Sequence, residues 1–176
     1  MNCRIGGEGS GLGAVEVSGR SMFSGYVDAG PESYSGGWLR TGDLGILLDG
    51  ELYLGGRYDD WIIVAGRNVD ATQIESAISG KSVMRHGGVA AVEDGDGGFV
   101  VVAETVEGPD LRGVADAVRD ALVRASGLAP SAVMFVPRGS LPKTPSGKLQ
   151  RYRVRSLLHT EQLEQMTTVR FRRGPQ

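Results

Sequence analysis

The chain has 176 residues, of which 40% are hydrophobic, and its formal net charge at pH 7 is -2. These values predict a globular protein with one complete core, or one compact domain plus part of another, and they exclude a disordered chain. A single cysteine, Cys3, excludes an intramolecular disulfide, and no signal peptide or apolar run of about 18 residues is present, so we expect a cytoplasmic protein without a membrane span.

The charges are unevenly distributed along the chain. Residues 1–137 hold ten Lys or Arg and nineteen Asp or Glu, whereas residues 138–176 hold nine and two. The basic end lacks the interleaved aromatic residues and the recognisable module that are typical of nucleic-acid binding. We therefore expect no nucleic-acid partner, and we assign residues 161–176 to a basic tail.

The first 58 residues are predicted to form short β-strands separated by glycine turns. Residues 14–17 alternate between apolar and polar side chains. Residues 46–48 and 51–54 flank Asp49-Gly50, which is a strong two-residue hairpin turn. This region is expected to be all β.

Strands and helices alternate after residue 60. Residues 61–64 predict an apolar strand. Thr72 and Glu75 predict a capping box at the start of a short helix that ends at Gly80.

The remaining elements complete a small α+β domain. Two apolar segments, 88–92 and 99–103, predict a β-hairpin, and a helix is expected between Asp110 as its cap and Gly127 as its stop. A further strand at residues 133–136 and a last helix at 148–158 follow. This order of predicted strands and helices along the chain indicates a domain with a β-hairpin, a three-stranded sheet and helices, preceded by the all-β segment.

Three segments place charged side chains among glycines, where the backbone can approach a ligand closely. They are residues 37–45, 56–60 and 141–151. A carboxylate such as that of Asp43 can accept hydrogen bonds from two ribose hydroxyls, and Arg57 can bind phosphate or hydroxyl oxygens. The first two segments therefore suit a nucleotide sugar, and Lys148 in the third offers a mobile cation.

Each of these residues also has a purely structural explanation. Asp43 could cap a turn, Arg57 could pair with Asp59 or Asp60, and Lys148 could be solvated at the start of a helix. These alternatives stay open for each residue taken alone.

Other nucleotide-binding and metal-binding motifs are excluded. Pro142 occupies the position of the first glycine of a P-loop, and Leu149 the position of its Ser or Thr. The glycines at 7–13 do not have the GxGxxG spacing. His86 and His159 have no Asp, Glu or Cys at ligand spacing, so no metal site is expected in this chain.

Taken together and in this order, the segments resemble the adenylate-forming superfamily of acyl-CoA synthetases, fatty acyl-AMP ligases, nonribosomal peptide adenylation domains and luciferases. The resemblance covers about residues 15–158. The motifs that carry it are residues 13–19, 25–26, 41–43, 56–57, 66–68, 74–75 and 142–148.

The resemblance implies a role for several individual residues. Asp43 and Arg57 would hold the ribose of ATP, Asp59 would be the hinge between a large and a small domain, and Lys148 would be the adenylation lysine. When a carboxylate attacks the α-phosphate, negative charge accumulates on the reacting groups, and a lysine delivered by a loop offsets this charge.

The same resemblance implies a second state of the enzyme. In this family the small domain rotates after adenylation and presents a segment to a phosphopantetheine thiol. In this chain that segment would contain Val64, Gly66, Arg67 and Asn68. The implied organisation is residues 1–58 as the end of a large adenylating domain, 59–60 as the hinge, and 61–160 as a mobile lid domain.

Within the superfamily, residues 37–45 and 66–68 look most like fatty acyl-AMP ligases, which load acyl carrier proteins instead of coenzyme A. Two positions depart from the family pattern: Ala14 stands where glutamate is usual, and Ala71 where a proline often precedes the helix. Because the second departure loosens the thiol-facing segment, an acyl-CoA synthetase stays open as an alternative.

The family's phosphate-binding loop, its aromatic-Gly-x-Thr-Glu segment and its acyl pocket have no counterpart in these residues. We expect ATP and Mg²⁺ to be bound mainly by an N-terminal half, in the same or a separate chain, and we expect this chain alone to be inactive. A non-catalytic module that binds a carrier protein is the alternative. The joint presence of Asp43, Arg57 and Lys148 favours an enzyme.

Overall fold

A computed structural model describes residues 2–6, 12–20, 34–79, 87–105, 110–163 and 167–171. The chain divides into two compact units, Met1–Asp59 and Asp60–Gln176. The motif at residues 25–26, the helix stop at Gly80 and His86 lie outside the described residues, as does much of the glycine-rich stretch at 7–13.

The first unit is an antiparallel sheet, which confirms the all-β prediction. Its strands are β1 (Asn2–Gly6), β2 (Gly13–Ser18), β3 (Tyr34–Ser35), β4 (Trp38–Leu48) and β5 (Glu51–Arg57). They are ordered β1-β2-β4-β3, and β5 pairs with β4. Asp49 and Gly50 both have positive φ, 51° and 83°, as the predicted two-residue turn between β4 and β5 requires.

A buried carboxylate ties three strands of this sheet together. Glu16 on β2 accepts hydrogen bonds from Arg4 Nε at 2.7 Å and from Arg40 Nε at 3.1 Å. Arg4 also lies 4.2 Å from the centre of the Trp38 ring, a cation–π contact. The two arginines lower the pKa of the Glu16 carboxyl, because they hydrogen-bond to its charged form.

A 3₁₀ turn at Tyr58–Asp60 spans the boundary between the two units, and the second unit begins at Asp60. Its strands are β6 (Trp61–Val64), β7 (Arg67–Asp70), β8 (Val89–Glu93), β9 (Phe99–Thr105), β10 (Ala132–Pro137) and β11 (Thr167–Arg170). Its helices are α1 (Ala71–Ile78), α2 (Leu111–Ser126) and α3 (Arg151–His159). Strands β6 and β7 form a separate hairpin, and the α+β class is confirmed.

A four-stranded sheet, ordered β11-β10-β9-β8, lies at the centre of the second unit. Only β10 and β9 run parallel, and the other neighbours are antiparallel. Strands β8, β9 and β10 are apolar on both faces, because each face packs against helices. Successive strand residues belong to two different cores. Those on one face, such as Phe135, pack with α1 and α2, and those on the other face, such as Val136, pack with α3.

The fourth strand of this sheet, β11, was not predicted from the sequence. Residues 167–170 fall in the stretch assigned to a basic tail, yet they pair with β10. Val169 is buried in the same core as α2, and Phe171 lies under the Arg119 guanidinium at 5.1 Å. A four-residue edge strand with one buried side chain has too weak an alternation to be recognised.

The start of α1 also differs from the expectation. Asp70, not Thr72, is the N-cap, and its side chain accepts a hydrogen bond from the Thr72 N–H at 2.8 Å. Glu75 does not return to the helix start, because its carboxylate is buried and bound elsewhere. The predicted cap and stop of α2 are confirmed: Asp110 accepts from two backbone N–H groups, and Gly127 has a φ of 72°.

Candidate functional site

In the first unit, the two predicted ribose-binding residues lie side by side. Asp43 and Arg57 are direct partners in the β4–β5 register. Their side chains form an ion pair with 3.5 Å between Arg57 Nε and Asp43 Oδ1, and Arg57 Nη2 donates to the Thr41 carbonyl at 3.4 Å. With 59% of the arginine and 37% of the aspartate side chain exposed, both groups remain accessible to a ligand.

The backbone around Asp43 is held by its neighbours. The Thr41 hydroxyl donates to the Val15 carbonyl at 3.1 Å and accepts from the Asp43 N–H at 3.1 Å. Gly42 has a φ of 79°, and a Cβ at this position would lie 2.8 Å from Arg57 Nη2. Glycine is therefore favoured by the turn of the backbone, and a side chain at this position would displace the guanidinium of Arg57.

In the second unit, the predicted thiol-facing residues form the β6–β7 hairpin. Its turn residues Ala65 and Gly66 have φ of 49° and 75°. The turn is fixed to the β8–β9 loop by a hydrogen bond from the Ala65 N–H to the Gly97 carbonyl at 2.9 Å. Val64 points into the core, whereas Gly66, Arg67 and Asn68 are exposed at the tip.

Lys148 lies on a loop with a well-defined backbone. The Thr144 N–H donates to the Lys148 carbonyl at 2.8 Å, and the Lys148 N–H donates to Thr144 Oγ1 at 3.0 Å. Gly147, with a φ of 84°, turns the chain between them. The Lys148 side chain itself is exposed, and it has no ion-pair or hydrogen-bond partner within the part of the chain that the structure describes.

A buried glutamate anchors the beginning of this loop. Glu104 Oε1 accepts from the Gly139 N–H at 3.1 Å and from the Leu141 N–H at 3.0 Å. The ammonium of Lys143 lies 3.8 Å from the other carboxylate oxygen. Of the two lysines in the loop, Lys143 is therefore held near an internal carboxylate, whereas Lys148 is available to an external anion.

The end of the loop is anchored by Arg151, the first residue of α3. Its Nε donates to Glu75 Oε1 at 2.8 Å, its Nη2 binds the second oxygen of Glu75, and its Nη1 binds Asp60. Glu75 Oε1 also accepts from the Ala91 N–H at 2.9 Å. Burial raises the pKa of the Glu75 carboxyl, and the hydrogen bonds from Arg151 and Ala91 oppose that shift.

The ion-pair cluster of Arg151, Glu75 and Asp60 was not predicted from the sequence. The sequence pattern of α1 does indicate that Glu75 is buried. Glu75 lies next to Ile74 and on the helix face that carries Ala71 and Ile78, and all four side chains are buried. A carboxylate at a buried position must find a partner. Its cationic partner is 76 positions away in sequence, so the pattern alone could not identify Arg151.

The described ranges also bear on metal binding and on membrane insertion. No group of three or more His, Cys, Asp or Glu residues there could hold a metal ion. No helix among the same residues is long and apolar enough to cross a membrane.

Comparisons with known proteins identify relatives. No family model matches the chain. It is 37% identical over 152 residues to a putative ligase, Rv1013, of Mycobacterium tuberculosis, a match that covers 80% of this chain and 28% of the relative. It is 40% identical over 128 residues to the medium-chain-fatty-acid–[acyl-carrier-protein] ligase JamA of Moorena producens, which covers 68% of this chain and 22% of JamA.

A solved structure supports the same assignment. It comes from a study of fatty acyl-adenylate ligases from E. coli and L. pneumophila, and it matches with a TM-score of 0.74 and 27% identity over 92% of this chain and 31% of that one. This chain thus spans about a quarter of the length of the curated relatives described above. The chain belongs to the adenylate-forming superfamily, where its relatives include fatty acyl-AMP ligases, and it corresponds to a C-terminal portion of such an enzyme.

Proposed function

We propose that this chain supplies the C-terminal part of a ligase that activates a carboxylic acid, specifically a fatty acid, as an acyl-adenylate. The observation that carries the proposal is Lys148, which is exposed, has no partner among the described residues and lies on a loop fixed by backbone hydrogen bonds. A cation held in this way can meet an external anion without first breaking an internal ion pair. The fatty acid is proposed because JamA and the fatty acyl-adenylate ligase structure carry that substrate class in their names.

In the first step, a carboxylate oxygen of the acid attacks the α-phosphorus of ATP, and pyrophosphate leaves. Asp43 would accept hydrogen bonds from the ribose hydroxyls, and the adjacent Arg57 would donate to ribose or phosphate oxygens. Lys148 would offset the charge that develops on the reacting oxygens. Mg²⁺ and the other contacts to ATP are proposed to lie in the N-terminal half of the enzyme.

In the second step, the acyl group is transferred to a phosphopantetheine thiol of an acyl carrier protein, and AMP leaves. We propose Asp59 as the hinge for the motion between the steps, and the tip of the β6–β7 hairpin, with Val64, Gly66, Arg67 and Asn68, as the surface that faces the thiol. The hydrogen bond from Ala65 to Gly97 supports this role, because it gives the tip a fixed shape. The single cysteine leads us to place the reaction in the cytosol.

The adenylation step is tested by acid-dependent pyrophosphate exchange, with the chain assembled with its N-terminal half. Lys148→Ala is expected to lower the exchange rate by about 100- to 1,000-fold, because it removes a charge that stabilises the transition state. Arg153→Ala is the matched control, since Arg153 is an exposed cation on α3 close to Lys148 in sequence. Full activity of the Lys148 variant would contradict the proposal and favour the non-catalytic module.

The acceptor is tested by competition. Holo-carrier protein and coenzyme A are offered together to the assembled enzyme, and acyl-carrier protein and acyl-CoA are quantified by mass spectrometry. Preferential acylation of the carrier protein is expected. Exclusive formation of acyl-CoA would instead identify an acyl-CoA synthetase.

A further inference from the structure

We propose that Arg151 is a positioning residue for Lys148, acting through its ion pairs with Glu75 and Asp60. This inference rests on the proposed function and deepens it, because it assigns the residues that hold the adenylation lysine in place. The connection joins three distant parts of the second unit: its first residue, the α1 helix and the start of α3.

Arg151 lies where it can control the Lys148 loop. The loop is closed by a hydrogen bond from the Gln150 N–H to the Pro142 carbonyl at 2.9 Å, so Arg151 follows directly after the closure. Gln150 is the N-cap of α3, but its side chain makes no capping hydrogen bond. The start of α3 is therefore held in place by the ion pairs of Arg151 and by the buried Val154 instead of by a side-chain cap.

The geometry of the cluster favours positioning over stabilisation. All three nitrogens of the guanidinium bind the two carboxylates, and the residue is only 9% exposed. Replacing a buried ion pair by well-packed apolar side chains is often neutral for stability, so such pairs are weak evidence for a stabilising role. A planar guanidinium bound on three sides does, however, fix the direction of the chain that carries it.

The position of Asp60 connects this cluster to the proposed hinge. Asp60 follows Asp59 in the chain, and Arg151 lies three residues beyond Lys148. A rotation at Asp59 would thus move Asp60, Arg151 and the end of the Lys148 loop together. Glu104 fixes the other end of the loop through the Gly139 and Leu141 N–H groups.

The first experiment measures the loop without any catalysis, by hydrogen–deuterium exchange of the full 176-residue chain. In Arg151→Met, the backbone N–H groups at 144, 147, 148 and 150 are expected to exchange at least about tenfold faster, because local opening exposes their hydrogen bonds. Exchange in α2 should rise less than exchange in the loop, since removing one partner of a buried ion pair also lowers the stability of the whole unit. Arg155→Met is the control, since Arg155 lies one turn later on α3 and its ion pair with Glu93 is longer, at 3.9 Å. Unchanged exchange of the loop in Arg151→Met overturns the proposal.

The second experiment asks whether Arg151 acts through Lys148. In pyrophosphate exchange by the assembled enzyme, Arg151→Met is expected to lower kcat by about 100-fold, the size of effect that a misplacement of about 1 Å can cause, with the KM for ATP nearly unchanged. In a Lys148→Ala background, Arg151→Met should have no further effect. Full additivity of the two substitutions overturns the positioning role.

The two proposals fail in different ways. If Lys148→Ala retains activity, the proposed function fails, while the exchange measurement still decides whether Arg151 fixes the loop. If Arg151→Met does not fold, Asp60→Ala replaces it, because that variant removes the acceptor of Arg151 Nη1 and keeps both bonds between Arg151 and Glu75. Faster exchange of the loop in Asp60→Ala supports the proposal, and an unchanged loop overturns the part of it that assigns Asp60.

Discussion

A side chain at position 42 would crowd the guanidinium of Arg57 beside Asp43, because a Cβ there would lie 2.8 Å from Arg57 Nη2. Gly42→Ala is expected to raise the KM for ATP by about tenfold with a smaller change in kcat, since the added methyl displaces Arg57 and weakens binding of the ground state. The measurement is steady-state pyrophosphate exchange by the assembled enzyme.

Gly50→Ala provides the matched control for this substitution. Gly50 has a φ of 83°, close to that of Gly42, but a Cβ there would meet no atom within 4 Å. Both variants should lose about 1 kcal/mol of stability from the left-handed backbone. An equal rise in the KM for ATP in both would show that backbone strain, not the contact with Arg57, is responsible.

The Glu16 carboxylate makes the stability of the first unit depend on pH. Because the arginines lower its pKa in the folded state, its stabilisation is complete above the unfolded-state pKa of about 4.3 and is lost as the pH falls through the lower folded value. Glu16→Gln should cost about 1 kcal/mol at pH 7. The difference between variant and parent should shrink towards pH 3.

Urea unfolding of the chain assembled with its N-terminal half, followed by tryptophan fluorescence, checks this prediction. Trp38 reports on the first unit if Trp61, the other tryptophan of this chain, and any tryptophan of the N-terminal half are replaced by Phe in both proteins. A difference that stays constant from pH 7 to pH 3 would show that Glu16 contributes through packing and not through its charge.

Individual residues differed in how far their roles could be predicted from sequence. Asp43 and Arg57 are close together because a hairpin turn, recognisable from Asp49-Gly50, brings their strands into register. The ion pair between Glu75 and Arg151 was missed because it depends on tertiary structure. In the sequence alone, Thr72 and Glu75 fit a capping box at the start of a helix equally well. Local sequence patterns thus predicted the contact across a hairpin, whereas the ion pairs between residues distant in sequence could be identified only from the folded structure.

At the scale of elements, the two possible N-caps of α1, Asp70 and Thr72, predict opposite orders of stability for two alanine variants. The structure makes Asp70 the N-cap, so Asp70→Ala should destabilise the chain by about 1 kcal/mol, whereas Thr72→Ala should cost only a few tenths. Urea unfolding of the two variants followed by circular dichroism measures both. The reverse ranking would restore the Thr72–Glu75 capping box.

Elements with strong internal patterns were predicted well. The α2 helix has an apolar stripe, an aspartate cap and a glycine stop, and all three are found in the structure. Strand β11 has only four residues, and its place in the sheet depends on pairing with β10 and on the contact between Phe171 and Arg119. Such a strand gains its stability from tertiary contacts that the sequence pattern does not show.

At the scale of the whole molecule, the two units differ sharply in what they bury. Among the described residues, Val15 is the only buried apolar side chain in the first unit, whereas both hydrophobic cores lie in the second. Burial of apolar surface is the main favourable contribution to folding. We therefore expect residues 60–176 to fold alone and residues 1–59 not to fold alone.

The two fragments test this expectation directly. Residues 60–176 should show a cooperative urea transition and dispersed amide signals in an NMR spectrum, because the fragment keeps both cores and the Glu75–Arg151–Asp60 cluster. Residues 1–59 expose much of strand β5, including Leu54 at 66%, so this fragment should be unfolded or aggregated until an N-terminal half covers it. A folded, monomeric 1–59 fragment would show that the sheet and the Glu16 ion pairs are sufficient. That result would remove the physical reason for expecting this unit to need the rest of an adenylating domain.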